Sequence, residues 1–302
     1  MSNTVVRQET MSKFLEKPNT KNYLSSVLGS KKERFVTNLA SIASQDKALA
    51  ECTNTSVMSG AIVATTLNLS LNKAFGYAYL IPFKVNEWDK QARERVHIRT
   101  DAQFQIGYKG YIQLAMRTGE YKKLNATPIY KNQFIAWDEM EEILTLNDVD
   151  GDGDIVGYVA FFELINGFKK MMFWRYSKML KHANEYSSAF DSRKYTLLKE
   201  GKIPQGEMWK YSSFWYKSFD DMALKTMFRQ ILSKYGILSE EMQKAYEFDQ
   251  SVVIDDKPQY LDNMGDTIRG QISQPEAQPD PMEDIEVEVA KGEIIEAKLD
   301  EV

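Results

Sequence analysis

The chain has 302 residues, 43% hydrophobic and 27% charged, which suits a soluble protein with one sizeable core or two small ones. No run approaches ~18 apolar residues, the N-terminal MSNTVVRQETMSKF lacks the apolar stretch of a signal peptide, and the single cysteine, Cys52, excludes an intrachain disulfide. A membrane span and a disulfide scaffold are set aside, and a reducing cytoplasm is the expected compartment.

The net charge of -5 hides a split. Residues from 251 onward hold 14 acidic and 4 basic side chains, which leaves 34 basic and 29 acidic in residues 1–250, a net of +5. A mildly basic body with an acidic tail is compatible with nucleic-acid binding.

Residues 1–29 are polar, with Pro18 and Gly29, and read as a mobile arm. Ser30-Lys31-Lys32-Glu33 has the pattern of a capping box, followed by a helix that buries Phe35, Leu39 and Ile42. Residues 55–67 are small and apolar (Val57, Ala61, Ile62, Ala64), which predicts a second, closely packed helix.

A strand is expected over residues 77–85, with Tyr77, Tyr79, Ile81, Phe83 and Val85 on one face and Pro82 at an edge or bulge. It pairs across a charged loop with residues 95–106, where Val96, Ile98, Thr100, Ala102, Phe104 and Ile106 alternate with Arg95, His97, Arg99, Asp101, Gln103 and Gln105. At ~3.3 Å per residue this second strand is about 40 Å long, twice the usual ~20 Å.

Gly107 ends it, and a helix follows with Tyr108, Tyr111, Ile112 and Ala115 as its apolar stripe. Lys109, Gln113 and Arg117 stand four apart on another face, and Gly119 suits the position past the helix end. A polar, partly cationic strand face thus runs into a cationic helical row, a surface shaped for a polyanion. An ordinary solvated face is the plain alternative.

Strands follow at 123–130, 155–164 and 168–175, with Asn166-Gly167 as a hairpin signal, then a helix at 176–186. Residues 194–217 interleave bases and rings, among them Lys199, Lys202, Trp209, Lys210, Phe214 and Trp215. Ser218 can cap a helix with Asp220 and Asp221 in its first turn, Leu224, Phe228, Ile231 and Tyr235 as its apolar stripe, and Lys225 and Arg229 on another face. From residue 251 a disordered acidic tail carrying Pro258, Pro275, Pro279 and Pro281 is expected.

Several motifs fall short. Asp148 to Asp154 imitates a calcium loop, but Val159 stands where a bidentate Glu is needed, so an acidic turn is the reading. Gly107-Tyr-Lys-Gly110 matches the G-x-x-G of KH domains, yet it joins a strand to a helix; only the idea of backbone N–H groups near a phosphate is kept. No G-x-x-x-x-G-K-S/T occurs, and His97 and His182 lack a cysteine pair, which argues against an ATPase-type recombinase and a structural zinc site.

Three phrases, LNLSLNKAFGYAYLIP, AQFQIGYKGYIQLAMRTGEY and SFDDMALKTMFRQIL, lie in this order and resemble the RecT family of phage single-strand annealing recombinases; the resemblance spans residues 31–247. It implies ATP-independent annealing of complementary strands in phage-type homologous recombination, by a non-enzymatic protein without a cofactor. The implied partners are single-stranded DNA, the annealed duplex, further copies of the chain in a ring or helical filament, and a phage exonuclease.

Such a protein needs a groove that neutralises phosphates and leaves base edges free. Lys73, Arg99, Lys109, Arg117, Lys225 and Arg229 are the phosphate candidates by residue type. Gln103, Gln105 and Gln113 are candidate uncharged donors, and Tyr111 and Trp215 candidate stacking or wedging rings, with a core position as the alternative for both aromatics. The fold expected is α+β: an antiparallel sheet around 77–106 with helices on one face, extra N-terminal helices, an annealing core over 30–250 and a tail over 251–302. A metal-dependent nuclease and a passive single-strand coating protein are the rival readings.

Overall fold

The computed structural model describes residues 9–89, 93–187, 189–254 and 257–259. The arm expected over 1–29 is instead helical from Met11: α1 (Met11–Glu16) and α2 (Pro18–Leu28) bury Met11, Leu15 and Leu24. Pro18 stands in the first turn of α2, where a missing N–H removes no helical hydrogen bond. α3 (Lys32–Gln45) buries Phe35 and Leu39, but Ser30 does not cap it, because a 3-10 turn at Gly29–Lys31 leads into the helix. α4 (Asn54–Thr66) is buried on most sides, and its small residues permit close approach: a Cβ on Gly60 would stand 2.6 Å from Leu80 Cδ2.

β1 (Ala78–Asp89) and β2 (Glu94–Ile106) form an antiparallel ribbon in which Leu80 faces Phe104 and Pro82 faces Ala102. β1 pairs only with β2 and is an edge strand, which is why Pro82 is tolerated; the irregularity falls at Val85/Asn86. The face of Ala78, Leu80, Ala102, Phe104 and Ile106 is buried and packs with α4. Past Val85 the ribbon outruns this cover, so Val96 and Ile98, expected on the buried face, are exposed.

α5 (Tyr108–Arg117) follows Gly107 directly. β3 (Tyr121–Tyr130) then leads through a small hairpin, β4 (Phe134–Asp138) and β5 (Ile143–Leu146), to β6 (Ile155–Leu164) and β7 (Lys169–Arg175). β3, β6 and β7 make an antiparallel sheet in the order β3-β6-β7. Asn166-Gly167 turns the β6–β7 hairpin with Gly167 at φ 90°, a conformation that favours glycine.

α6 (Tyr176–Tyr186), α7 (Ser192–Lys199) and the single-turn α8 (Phe214–Lys217) precede α9 (Phe219–Tyr235). α9 is the central helix, packed against α5 on one side and against β3, β6 and β7 on another. Ser218 occupies its N-cap position without a side-chain cap bond, and Asp220 accepts the Tyr158 hydroxyl at 2.6 Å.

After α10 (Glu240–Phe248) the chain returns to the ribbon. The Gln250 N–H donates to Phe104 O and the Phe104 N–H donates to Ser251 O, each at 2.8 Å. β8 (Val252–Ile254) buries Val252 and Val253 and pairs with β9 (Lys257–Gln259). Residues 251–254 are therefore body rather than tail, because apolar side chains follow the turn at Gln250. Of the rest of the expected tail, residues 257–259 form β9, and residues 255–256 and 260–302 lie outside the described residues. The architecture is α+β with antiparallel sheets, and among the described residues no helix is long and apolar enough to cross a membrane.

Candidate nucleic-acid interface

The loop between α4 and β1, the start of α5 and the α8–α9 corner surround an open cleft of about 290 Å³. Lys73, Lys109, Lys225, Gln105 and one carboxylate, Asp221, line it, together with the rings of Tyr79, Tyr108 and Phe214. Two glycines set this closeness. A Cβ on Gly107 would stand 2.2 Å from Gly76 O, and one on Gly110 would stand 2.2 Å from Tyr77 O, so any side chain would push the helix off the loop. The G-x-x-G pair is thus a packing device. Its amides are used inside the protein, since Gly107 N–H donates to Tyr77 O at 3.0 Å and Gly110 N–H to Gly107 O at 2.9 Å.

The far end of α5 holds the same loop. The Arg117 guanidinium donates to Leu67 O and to Asn68 O, both at 2.8 Å, occupying carbonyls at the C-terminal end of α4. Arg117, expected on phosphate, is exposed and holds the segment that carries Lys73 through these two carbonyls. Two of the three sequence phrases, LNLSLN and AMRTG, meet physically at this guanidinium.

Behind the cleft lies a buried ionic centre. Asp249, wholly buried at the end of α10, accepts from Lys225 Nζ (3.0 Å), Arg229 Nη1 (3.1 Å), the Tyr111 hydroxyl (2.8 Å) and the Ile106 N–H (2.8 Å). Burial alone would raise its carboxyl, but the two cations and these donors hold it below the usual carboxylate range. Burial draws the Lys225 ammonium down, with Asp249 opposing. One carboxylate ties β2, α5, α9 and α10 together.

This centre revises the expected site. Tyr111 is fully buried with its hydroxyl committed to Asp249, so it offers no face to a base. Lys225, 5% exposed, and Arg229 neutralise Asp249 rather than standing as free phosphate ligands. Trp215 is also core, packed edge-on against Phe219 at 5.2 Å. Gln103 is buried and donates to Gln250 O, and Gln105 donates to Gln103 Oε1. Arg99 pairs with Asp101 at 2.7 Å on the ribbon, and Gln113 is half-buried on α5.

Lys73 and Lys109 remain as exposed cations at the cleft. Lys73, itself exposed, pairs at 2.5 Å with Asp46, whose side chain keeps 16% of its surface in solvent, so a phosphate at Lys73 competes with that carboxylate. The rings that do present a surface were missed in the sequence: Phe75, 52% exposed and stacked on Tyr77, and Phe214, tilted against Tyr79 at 6.2 Å. Their signal was adjacency, since Phe75 lies two residues from Lys73 and Phe214 next to the buried Trp215.

Comparison with known proteins agrees with the phrases that carry these residues. Residues 33–262 match the family model described as RecT family. A protein of Bacillus subtilis (strain 168), uncharacterized protein YqaK, is 34% identical over 277 residues, covering 86% of this chain and 84% of that protein. Protein RecT of Escherichia coli (strain K12) is 24% identical over 252 residues, covering 81% of this chain and 82% of that protein. With the family match spanning the ribbon, α5, α9 and the Asp249 centre, this chain belongs to the RecT family.

Proposed function

We infer that this protein binds single-stranded DNA along the Lys73–Lys109 cleft and anneals complementary strands without ATP, as an assembly of several copies. Membership of the RecT family implies single-strand annealing recombination and single-stranded DNA binding, and annealing proteins of this family are non-catalytic. The observation that carries the reading is the cleft itself, where two exposed lysines stand beside the rings of Tyr79, Tyr108 and Phe214. Cations on a backbone and rings against base faces bind strands without reading sequence, which an annealing protein requires.

The test mixes two complementary labelled oligonucleotides with the protein, without ATP, with and without EDTA. Faster pairing in both conditions supports annealing. Shortened strands that EDTA protects would mean a nuclease, and slowed pairing would mean passive coating. Among the described residues no three His, Cys, Asp or Glu side chains gather as a metal-binding group.

A further inference from the structure

Two exposed surfaces remain outside the cleft, and their charges are opposite. The first is the β4–β5 ribbon and its flanks. Residues 131–154 hold eight acidic side chains and one basic one, within a body that is otherwise basic. The inner side of the ribbon is anchored: Phe134 stacks on Phe173, and Trp137 and Leu144 pack in the same cluster. Its outer side presents Ile135, Ile143 and, at the tip, Met140, 91% exposed. Apolar groups ringed by carboxylates are repelled by a phosphate backbone and suit a protein surface.

The second surface is residues 192–217, with six basic and two acidic side chains. Here Met208 and Trp209 are exposed, Trp209 at 73%, between Lys202 and Lys210, which are also exposed. A solvent-facing Trp beside lysines is the complement of an apolar tip beside glutamates, and tryptophan is the side chain most often found anchoring an interface.

We propose that the acidic β4–β5 ribbon of one copy docks on the 192–217 surface of a second copy. Met140 and Ile143 meet Met208 and Trp209, while Glu139 and Glu141 face Lys202 and Lys210. The two surfaces differ, so the contact is head-to-tail, and each added copy leaves a free ribbon at one end and a free basic surface at the other. This deepens the reading of the protein as an assembly of copies and rests on it.

The test uses the full chain without DNA, its mass followed by sedimentation velocity and light scattering. E139K/E141K and K202E/K210E should each weaken self-association at least about tenfold, and the two sets combined in one chain should restore it. Chains carrying M140C mixed with chains carrying W209C should form disulfide-linked dimers with diamide, and neither alone should. Cys52 need not be replaced, since it is buried and its thiol is pushed up to about 12, chiefly by burial and then by Asp101.

Unchanged mass in either reversed variant, no restoration in the combination, or coupling of M140C chains to one another overturns the proposal. Wild type that stays monomeric overturns it as well. Binding of a short oligonucleotide, measured alongside, reports on the cleft separately: its loss with wild-type assembly intact refutes the DNA reading and leaves the docking contact standing.

Discussion

Replacing Asp249 with Ala should destabilise the protein by about 4–5 kcal/mol, and by less as pH rises. Removing one partner of a buried ion pair costs about 3–5 kcal/mol, because the other charge is left uncompensated. Here the stranded cation is Lys225, 5% exposed, while Arg229 keeps 30% of its side chain in solvent and is better placed to reach water. The Ile106 N–H and the Tyr111 hydroxyl lose their acceptor too, at about 1–3 kcal/mol for a buried orphan, though effects within one network do not simply add.

A ceiling follows from Lys225 itself, which can escape by losing its proton. From a reference value of about 10.4, deprotonation at pH 7 costs about 4.6 kcal/mol, and each unit of pH lowers that by about 1.4 kcal/mol. The unfolded chain then binds one proton more than the folded variant, so stability rises with pH. Urea unfolding of wild type and Asp249→Ala at pH 7 and pH 9 is the assay, with the difference between them expected to shrink by about 2–3 kcal/mol. A difference under about 1 kcal/mol at pH 7, or one that does not change with pH, would refute the argument. Pairing Asp249→Leu with Lys225→Met should recover much of the loss, since it removes the buried cation and leaves only Arg229, which keeps 30% of its side chain in solvent.

Gly107→Ala should destabilise by about 3 kcal/mol or more, since its Cβ meets backbone oxygen at 2.2 Å, while Gly206→Ala, with open space around it, should be near neutral; equal urea midpoints for the two would sink the packing account. His182, held at about 4 by burial and by the Arg229 and Lys178 charges, is neutral in the folded state where the unfolded chain binds a proton. It should therefore withdraw up to about 3 kcal/mol of stability as pH falls from about 6.5 to 4, and a His182→Gln variant should flatten that part of the stability profile. Lys73→Ala and Lys109→Ala should each flatten the log–log salt dependence of single-strand binding by about 0.7. Arg117→Ala should weaken binding by loosening the Lys73 loop, and an Arg117→Ala slope reduced as much as for Lys109→Ala would return Arg117 to the phosphate ligands.

What was legible in the sequence is what depends on near neighbours. The alternation of residues 95–106, the i, i+3, i+4, i+7 stripe from Tyr108 and the turn at Asn166-Gly167 are local signals, and each element formed where expected. The family was legible as well, because three phrases in a fixed order are specific even when their roles are unknown. Only α1 and α2, inside the segment read as an arm, were missed, because their buried positions, Met11, Leu15 and Leu24, are few in a polar segment and find their cover in tertiary contacts.

The fate of each cation was decided by tertiary structure. Lys109, Lys225, Arg117 and Arg229 look alike on a helical wheel. Asp249 claims Lys225 and Arg229 from 24 and 20 residues away, and the Leu67 and Asn68 carbonyls claim Arg117 from about 50 away. Tyr111 lies on a stripe that reads as core or as stacking surface until its hydroxyl is found on a carboxylate 138 residues distant. Periodicity told which side of α5 is buried but not which side of β1, where Ala78 and Leu80 are buried instead of the face of Tyr79 and Ile81, and whether a charge is free depends on the partner that the fold brings to it.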